Sequence, residues 1–146
     1  MAVTGTLTID APPDKVFAIL ADPRQHSRID GSGTVLDSVT GPKRLTLGSE
    51  FSMSMKQGVP YTIKNKVVEF DEGRTIAWRH IGLHRWRYQL APTDSGACVV
   101  TETWDISPYP GPMRVVMAKL FAKKTQAGID ATLPKLKAAA ESDAVS

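Results

Sequence analysis

Residues 50–106 read EFSMSMKQGVPYTIKNKVVEFDEGRTIAWRHIGLHRWRYQLAPTDSGACVVTETWDI, and large apolar side chains recur there at every second position. Successive residues of a β-strand point to opposite faces, so a period of two indicates a sheet with one covered face. The residues expected on that inner face are Phe51, Met53, Met55, Ile63, Asn65, Val67, Ile76, Trp78, His80, His84, Trp86, Tyr88, Leu90, Val100, Glu102, Trp104 and Ile106.

Turn signals divide this segment into strands at hairpin spacing, among them Gln57-Gly58 and the polar run Pro92–Gly96. The predicted strands are Thr34–Thr40, Glu50–Lys56, Tyr61–Phe70, Arg74–His80, His84–Leu90 and Ala97–Ile106. At the N-terminus, Val3, Leu7 and Ile9 alternate with threonines and predict a seventh strand. Hairpin spacing predicts an antiparallel meander and argues against parallel strands joined by helices.

Three helical segments accompany the strands. Asp14–Leu20 follows a Pro-Pro pair, Arg24–Ser27 forms a short helix or turn, and a long helix begins after Pro112. Met113, Val116, Met117, Leu120 and Phe121 lie at helical spacing in the long helix. Pro134 is expected to kink or divide it near Asp130, and residues 138–146 are expected to fray. An antiparallel sheet covered on one face then packs around this helix, an α+β arrangement.

The composition of the chain limits the classes of function that are expected. The chain has 146 residues, 42% of them hydrophobic and 23% charged, with a net charge of +3 spread along the sequence, which predicts one domain over residues 1–146 and no nucleic-acid partner. Cys98 is a single cysteine, and neither a Gly-rich phosphate loop nor a metal-binding motif occurs, so no cofactor or metal is predicted. No signal peptide or membrane span is evident, and a cytoplasmic location is expected. The oligomeric state is left open.

The segment Thr8-Ile9-Asp10-Ala11-Pro12-Pro13-Asp14-Lys15-Val16-Phe17, followed by Ala21-Asp22-Pro23, resembles the opening of the SRPBCC (START-like) superfamily. Further similarities are Gly48-Ser49-Glu50-Phe51, Val67-Val68-Glu69-Phe70, Thr75-Ile76-Ala77-Trp78 and Thr101-Glu102-Thr103. The resemblance is strongest to the small bacterial polyketide cyclase/dehydrase and lipid-transport-like proteins. It implies the helix-grip fold shared with the birch-pollen allergen, and a cavity between sheet and helix. Many relatives carry a tryptophan where this chain has Ile29.

Symmetric hairpins would place Trp78 opposite Trp86, Trp86 opposite Glu102, and His84 opposite Trp104, with Asn65 beside His80. Cross-strand neighbours lie about 5 Å apart at Cβ, so such residues would touch. A carboxylate between tryptophans would have a raised pKa and could serve as a general acid or base. A pairing with arginine or histidine explains Glu102 equally well.

His80 and His84 could anchor a ligand carbonyl or carboxylate, or bond to backbone at the end of the sheet. The predicted ligand-binding residues are Met53, Met55, Ile63, Asn65, Trp78, His80, His84, Trp86, Tyr88, Glu102, Trp104, Met117 and Leu120. His26, Arg28 and Asp30 are interpreted as a solvated loop near the cavity mouth.

Three functions are compatible with these residues. The first is binding of a hydrophobic or amphipathic small molecule such as a lipid, a polyketide or a related aromatic compound. The second is a polyketide cyclase, aromatase or dehydratase in which His80 or His84 is the base and Glu102 the acid. The third is a ligand-free domain that binds a protein partner.

Overall fold

The computed structural model describes residues 2–31, 35–80 and 82–145. Within them seven strands form one antiparallel sheet, in the spatial order β1-β7-β6-β5-β4-β3-β2. The strands are β1 (Ala2–Ile9), β2 (Val35–Thr40), β3 (Glu50–Gln57), β4 (Val59–Asp71), β5 (Thr75–Arg79), β6 (Arg85–Pro92) and β7 (Cys98–Asp105). The predicted strand residue Thr34, part of the turn at 31–33 and the loop residue Ile81 lie outside the described residues.

The helices are α1 (Pro13–Leu20), α2 (His26–Ile29) and α3 (Gly111–Ala144), with a 3₁₀ turn at Pro23–Gln25. The predicted short helix at Arg24–Ser27 therefore divides into that turn and α2. The Asp22 carboxylate accepts a hydrogen bond from the Arg24 backbone N–H at 3.0 Å and fixes the start of the turn. With α3 lying along β1 and contacting α1 and α2, the chain has the predicted α+β helix-grip fold.

Pro134 does not divide α3, which continues as one helix to Ala144. A proline removes one helical N–H donor, here the one that would reach the Asp130 carbonyl. Pro134 and Asp130 are exposed, whereas Leu133 and Leu136 are buried in the core on the other side of the helix. The prediction of a frayed C-terminal segment was wrong, because Ala139 and Ala140 are buried and the Asp143 carboxylate pairs with Arg28 at 2.9 Å.

The strand register agrees with the prediction on one side of β6 and differs from it on the other. Trp78 pairs with Trp86, as predicted. Trp86, however, lies opposite Trp104 and not Glu102, whose partner is Tyr88. His84 is therefore not directly opposite Trp104 as predicted, although the two rings still lie 5.8 Å apart between centroids. The β6–β7 loop extends to Ala97, whose carbonyl accepts from the Thr93 N–H at 3.0 Å, and this shifts the pairing by two residues. An even shift keeps every side chain on its predicted face.

Gly5 allows α3 to approach the sheet closely. A Cβ on Gly5 would lie 2.7 Å from Ile129 Cγ2 and 3.0 Å from Leu133 Cδ1, so these side chains occupy the space that a larger residue would need. Ile129, Leu133 and Leu136 form the buried side of the C-terminal half of α3. The N-terminal half differs from the expected amphipathic packing, because several of its apolar residues are exposed: Met113, Val115, Val116, Leu120 and Phe121.

Candidate functional site

A cavity of about 380 Å³ lies between the inner face of the sheet, α2 and α3. This volume falls within the range of roughly 300–1,000 Å³ that is typical of small-molecule sites. β3 and β4 form one side of its wall and β5, β6 and β7 the other, while Met117, Phe121 and Lys124 of α3 extend over it. The alternation that buries one face of the sheet thus also directs side chains into the cavity.

All but one of the predicted ligand-binding residues lie on the cavity wall: Met53, Met55, Ile63, Asn65, Trp78, His80, His84, Trp86, Tyr88, Glu102, Trp104 and Met117. Leu120 does not, and 67% of its surface is exposed. Each helical residue is turned about 100° from the one before it, so Leu120 lies about 60° from Met117 and about 100° from Phe121, beyond the edge of the stripe that covers the cavity. The prediction for Leu120 was wrong because helical spacing alone does not identify which side of a helix is covered.

The prediction missed several residues of the wall: His26, Ile29, Asp30, Val35, Tyr61, Phe121, Lys124, Thr125, Gly128, Ile129 and Thr132. His26 is the clearest case, because it is only 5% exposed although the sequence suggested a solvated loop. Its segment is too short to show helical periodicity. The alternation of apolar Ile29 with charged neighbours was the only signal available, and it does not distinguish a wall from a loop.

Trp78 lies at the centre of the aromatic wall. The His26 ring stacks on it with centroids 4.7 Å apart, and the Phe51 ring meets it edge-on at 5.8 Å. Tyr88 lies against it at 5.6 Å. Trp86 and Trp104, paired across β6 and β7, are 6.4 Å apart and continue the aromatic surface. These spacings are those of favourable ring contacts, so the wall is held in a defined shape.

Glu102 and Tyr88 form a buried polar pair on this wall. The Tyr88 hydroxyl donates to Glu102 Oε2 at 2.9 Å, and Glu102 is 3% exposed. Burial raises the pKa of Glu102 to about 8, and the negative charge of Asp30 acts in the same direction, while the bond from Tyr88 opposes both. Glu102 is therefore mostly protonated at neutral pH. Burial, followed by the charge of Glu102, raises the pKa of Tyr88 well above its usual value.

His80 and His84 lie together at another part of the cavity, with ring centroids 5.1 Å apart. Burial and the neighbouring His84 lower the pKa of His80 to about 4, and burial lowers the pKa of His84. His84 Nδ1 is 2.9 Å from the Tyr109 hydroxyl, which also accepts from the Leu83 N–H at 3.1 Å. Both rings are therefore neutral at pH 7, and His84 is held at the end of the sheet while it lines the cavity.

The corrected register separates these histidines from Glu102. His84 is four residues from Tyr88, the cross-strand partner of Glu102, and four strand residues span about 13 Å. Asp30, whose charge acts on Glu102, is the nearer titratable group. Over residues 2–31, 35–80 and 82–145, no cluster of three or more His, Cys, Asp or Glu residues is arranged to hold a metal ion.

Comparison with known proteins shows which family this chain is similar to. A family model described as "Polyketide cyclase / dehydrase and lipid transport" matches residues 1–141. The chain belongs to this polyketide cyclase/dehydrase and lipid transport family. The resemblance to SRPBCC proteins inferred from the sequence is thereby confirmed, and the family description is consistent with a hydrophobic ligand.

Relatives of this polyketide cyclase/dehydrase family protein include the uncharacterized protein Rv0088 of Mycobacterium tuberculosis, which is 38% identical over 138 residues. The match covers 92% of this chain and 62% of Rv0088, so the chain spans less than two thirds of the length of that relative.

Two solved structures support the fold of this family member. The protein TTHA0849 from Thermus thermophilus has a TM-score of 0.71 at 14% identity, and the match covers 98% of this chain and 99% of TTHA0849. An AHSA1-like protein from Aeromonas hydrophila has a TM-score of 0.69 at 16% identity, covering 100% of this chain and 96% of that protein.

Within the part of the chain that the structure describes, none of the helices has the length and hydrophobicity to cross a bilayer.

Proposed function

We propose that this protein binds a hydrophobic or amphipathic small molecule in the cavity between the sheet and α3. The supporting observation is the cavity of about 380 Å³, whose wall contains the side chains of Trp78, Trp86 and Trp104 together with three methionines. Met53, Met55 and Met117 are unbranched and adapt to ligands of different shape, which suits a lipid, polyketide or aromatic guest. The family description, with its reference to polyketides and lipids, agrees with this chemistry.

The first test uses the neutral apolar dye 1-N-phenylnaphthylamine, whose fluorescence rises on transfer from water to an apolar site. We expect saturable binding by the wild-type protein. Met117→Trp should weaken the dye at least about tenfold, because the larger side chain fills part of the cavity.

Met113→Trp is the matched control for that experiment. It adds the same indole one helical turn earlier in α3, at a residue that is 49% exposed and not part of the cavity wall. Dye affinity should stay within about twofold of wild type in this variant. Absence of saturable binding by the wild-type protein, or equal binding by both variants, would refute a ligand site in this cavity.

A second candidate function is acid–base catalysis in the same cavity on a poly-β-keto or hydroxy-ketone substrate. The observation that favours it is the pKa of Glu102, about 8, beside the negative charge of Asp30. Paired carboxyl groups whose environments differ can divide the roles of acid and base. The separation of about 13 Å between His84 and Tyr88 argues against a direct histidine–Glu102 couple. Product formation by the wild-type protein, followed by mass spectrometry, distinguishes an enzyme from a carrier.

A further inference from the structure

Unpartnered polar atoms are concentrated at the cavity. Among the described residues, five buried side-chain nitrogen or oxygen atoms have no hydrogen-bond partner in the protein: His26 Nδ1, Asn65 Nδ2, Asn65 Oδ1, Glu102 Oε1 and Arg85 Nε. All except Arg85 Nε belong to residues of the cavity wall. A buried polar atom without a partner destabilises the folded protein, so several such atoms around one cavity indicate groups that a guest would satisfy.

The three residues that carry these atoms surround Trp78. His26 stacks directly on it, and Glu102 is joined to it through Tyr88. Asn65 pairs across the sheet with Phe51, whose ring meets Trp78 edge-on. Asn65 is only 1% exposed and lines the cavity. A flat guest lying against Trp78 would therefore have polar atoms of the protein on more than one side.

These atoms offer both donors and acceptors. His26 Nε2 lies 2.9 Å from the Leu20 carbonyl, to which it donates, so Nδ1 is left as an acceptor in the neutral ring. The Asn65 amide provides one donor group and one acceptor. Glu102 Oε2 accepts from Tyr88, so a proton on Glu102 resides on Oε1 and is available for donation. Burial lowers the pKa of His26 and raises that of Glu102 to about 8, which keeps both groups uncharged near neutrality.

Charge on the wall disfavours anions. The titratable residues that face the cavity from the sheet are Tyr61, His80, His84, Tyr88 and Glu102, and those from the helices and the residue after α2 are His26, Lys124 and Asp30. The histidine pKa values are lowered, so Lys124 on α3 is the single cation of the described wall at neutral pH. Lys124 is exposed, and the Asp30 carboxylate would repel a second negative charge near Glu102.

We propose that the ligand is an uncharged apolar molecule bearing both a hydroxyl and a carbonyl group, and that the cavity selects against carboxylates and phosphates of similar size. This inference rests on the proposed function and specifies its ligand class. The neutral groups satisfy His26, Asn65 and Glu102 without bringing a charge into the apolar wall. A buried carboxylate would lose its hydration and gain no cation at Trp78, and this combination strongly disfavours its binding.

Three compounds of one skeleton test the ligand class: 2-(hydroxymethyl)anthraquinone, 2-methylanthraquinone and anthraquinone-2-carboxylate. Quenching of tryptophan fluorescence at pH 7 reports binding, because all three tryptophans line the cavity. We expect the hydroxymethyl compound to bind at least about tenfold more tightly than the carboxylate, and several-fold more tightly than the methyl compound. Asn65→Leu, which keeps the branching of the side chain at Cγ but removes its polar groups, should reduce the preference for hydroxymethyl over methyl.

The outcomes separate this inference from the proposed function. Equal or tighter binding of the carboxylate overturns the ligand class while the binding function stands. If none of the three compounds binds while 1-N-phenylnaphthylamine still does, the ligand class is likewise overturned and the binding function stands. Failure of all three and of the dye overturns both. The comparison among ligands uses the wild-type protein, so it remains decisive if Asn65→Leu does not fold.

Discussion

Relative to Glu102→Gln, the wild-type protein is expected to lose stability as the pH rises from about 6.5 to 8. Burial raises the pKa of Glu102 from 4.5 to about 8 in the folded protein. The folded state therefore holds a proton that the unfolded state has already released, and stability falls as the pH rises through this interval. The fall amounts to about 1.4 kcal/mol per pH unit, or roughly 2 kcal/mol across the window. Glutamine has nearly the same shape and does not titrate.

Comparison with Glu102→Gln at each pH isolates Glu102 from the buried histidines. Burial lowers the pKa values of His26, His80 and His84 in the folded protein, so their contribution to stability grows as the pH rises toward and just beyond 6.5, where the unfolded chain releases its histidine protons. This contribution is the same in wild type and variant and cancels in their difference. Urea unfolding at several pH values, with wild type and variant compared at each, measures the slope.

Glu72→Gln is the control for the pH experiment. The hydrogen bond from Arg44 lowers the pKa of the exposed Glu72, so its contribution to stability changes only below about pH 4.5. This variant should keep the wild-type slope between pH 6.5 and pH 8. A difference in stability between wild type and Glu102→Gln that stays constant from pH 6.5 to pH 8 would contradict a protonated Glu102 on the cavity wall.

Gly31→Ala should produce the second large effect, a loss of about 3 kcal/mol or more in the free energy of unfolding. A Cβ at Gly31 would lie 2.4 Å from the Ala131 carbonyl carbon and 2.4 Å from the Thr132 nitrogen. Both are backbone atoms of α3, which cannot move aside as the end of a side chain can. The Gly31 N–H also donates to Thr132 Oγ1 at 2.9 Å, so the displaced helix would lose this bond.

Thermal unfolding measures this effect, and the melting temperature should fall by about 10 °C. Gly111→Ala is the control. Outside its chain neighbours, the nearest atom to its added Cβ is the Arg114 guanidinium at 3.6 Å, so the main cost is the restriction that a Cβ meets before Pro112. That variant should lose no more than about 1 kcal/mol relative to wild type. A Gly31→Ala variant as stable as Gly111→Ala would disprove the close approach of residue 31 to α3.

The alternating sequence was sufficient to predict the sheet, its inner face and nearly all the wall residues that the sheet supplies. The period of two identifies the face of Trp78, Trp86 and Trp104 without any knowledge of register. It cannot determine which residues are opposite one another, because pairing depends on where a hairpin loop ends. The hydrogen bonds between Thr93 and Ala97 close a longer loop than predicted, so Glu102 lies opposite Tyr88 and not Trp86. The partner of the Glu102 carboxyl group is therefore also different.

The contribution of the helices was less predictable. Met117 and Leu120 both fit a helical pattern, but only Met117 lines the cavity, since the covered side of α3 is determined by the contacts of its other half with β1. His26 could not be recognised because its burial depends on stacking against Trp78, more than 50 positions away in the sequence. Long-range contacts of this kind carry no local periodicity.

We expect entry of the proposed guest and unfolding of the protein to have different free-energy costs, because the two halves of α3 are packed differently. Contacts at Gly5 and Gly31 fix the helix near Ile129–Leu133, whereas the half that begins at Gly111 has several exposed apolar residues. Lifting that half away from the mouth would break few buried contacts and leave the sheet and the fixed half intact. We therefore expect the exchange rate of the proposed guest to depend on a local opening, whose magnitude need not follow the global stability of the fold.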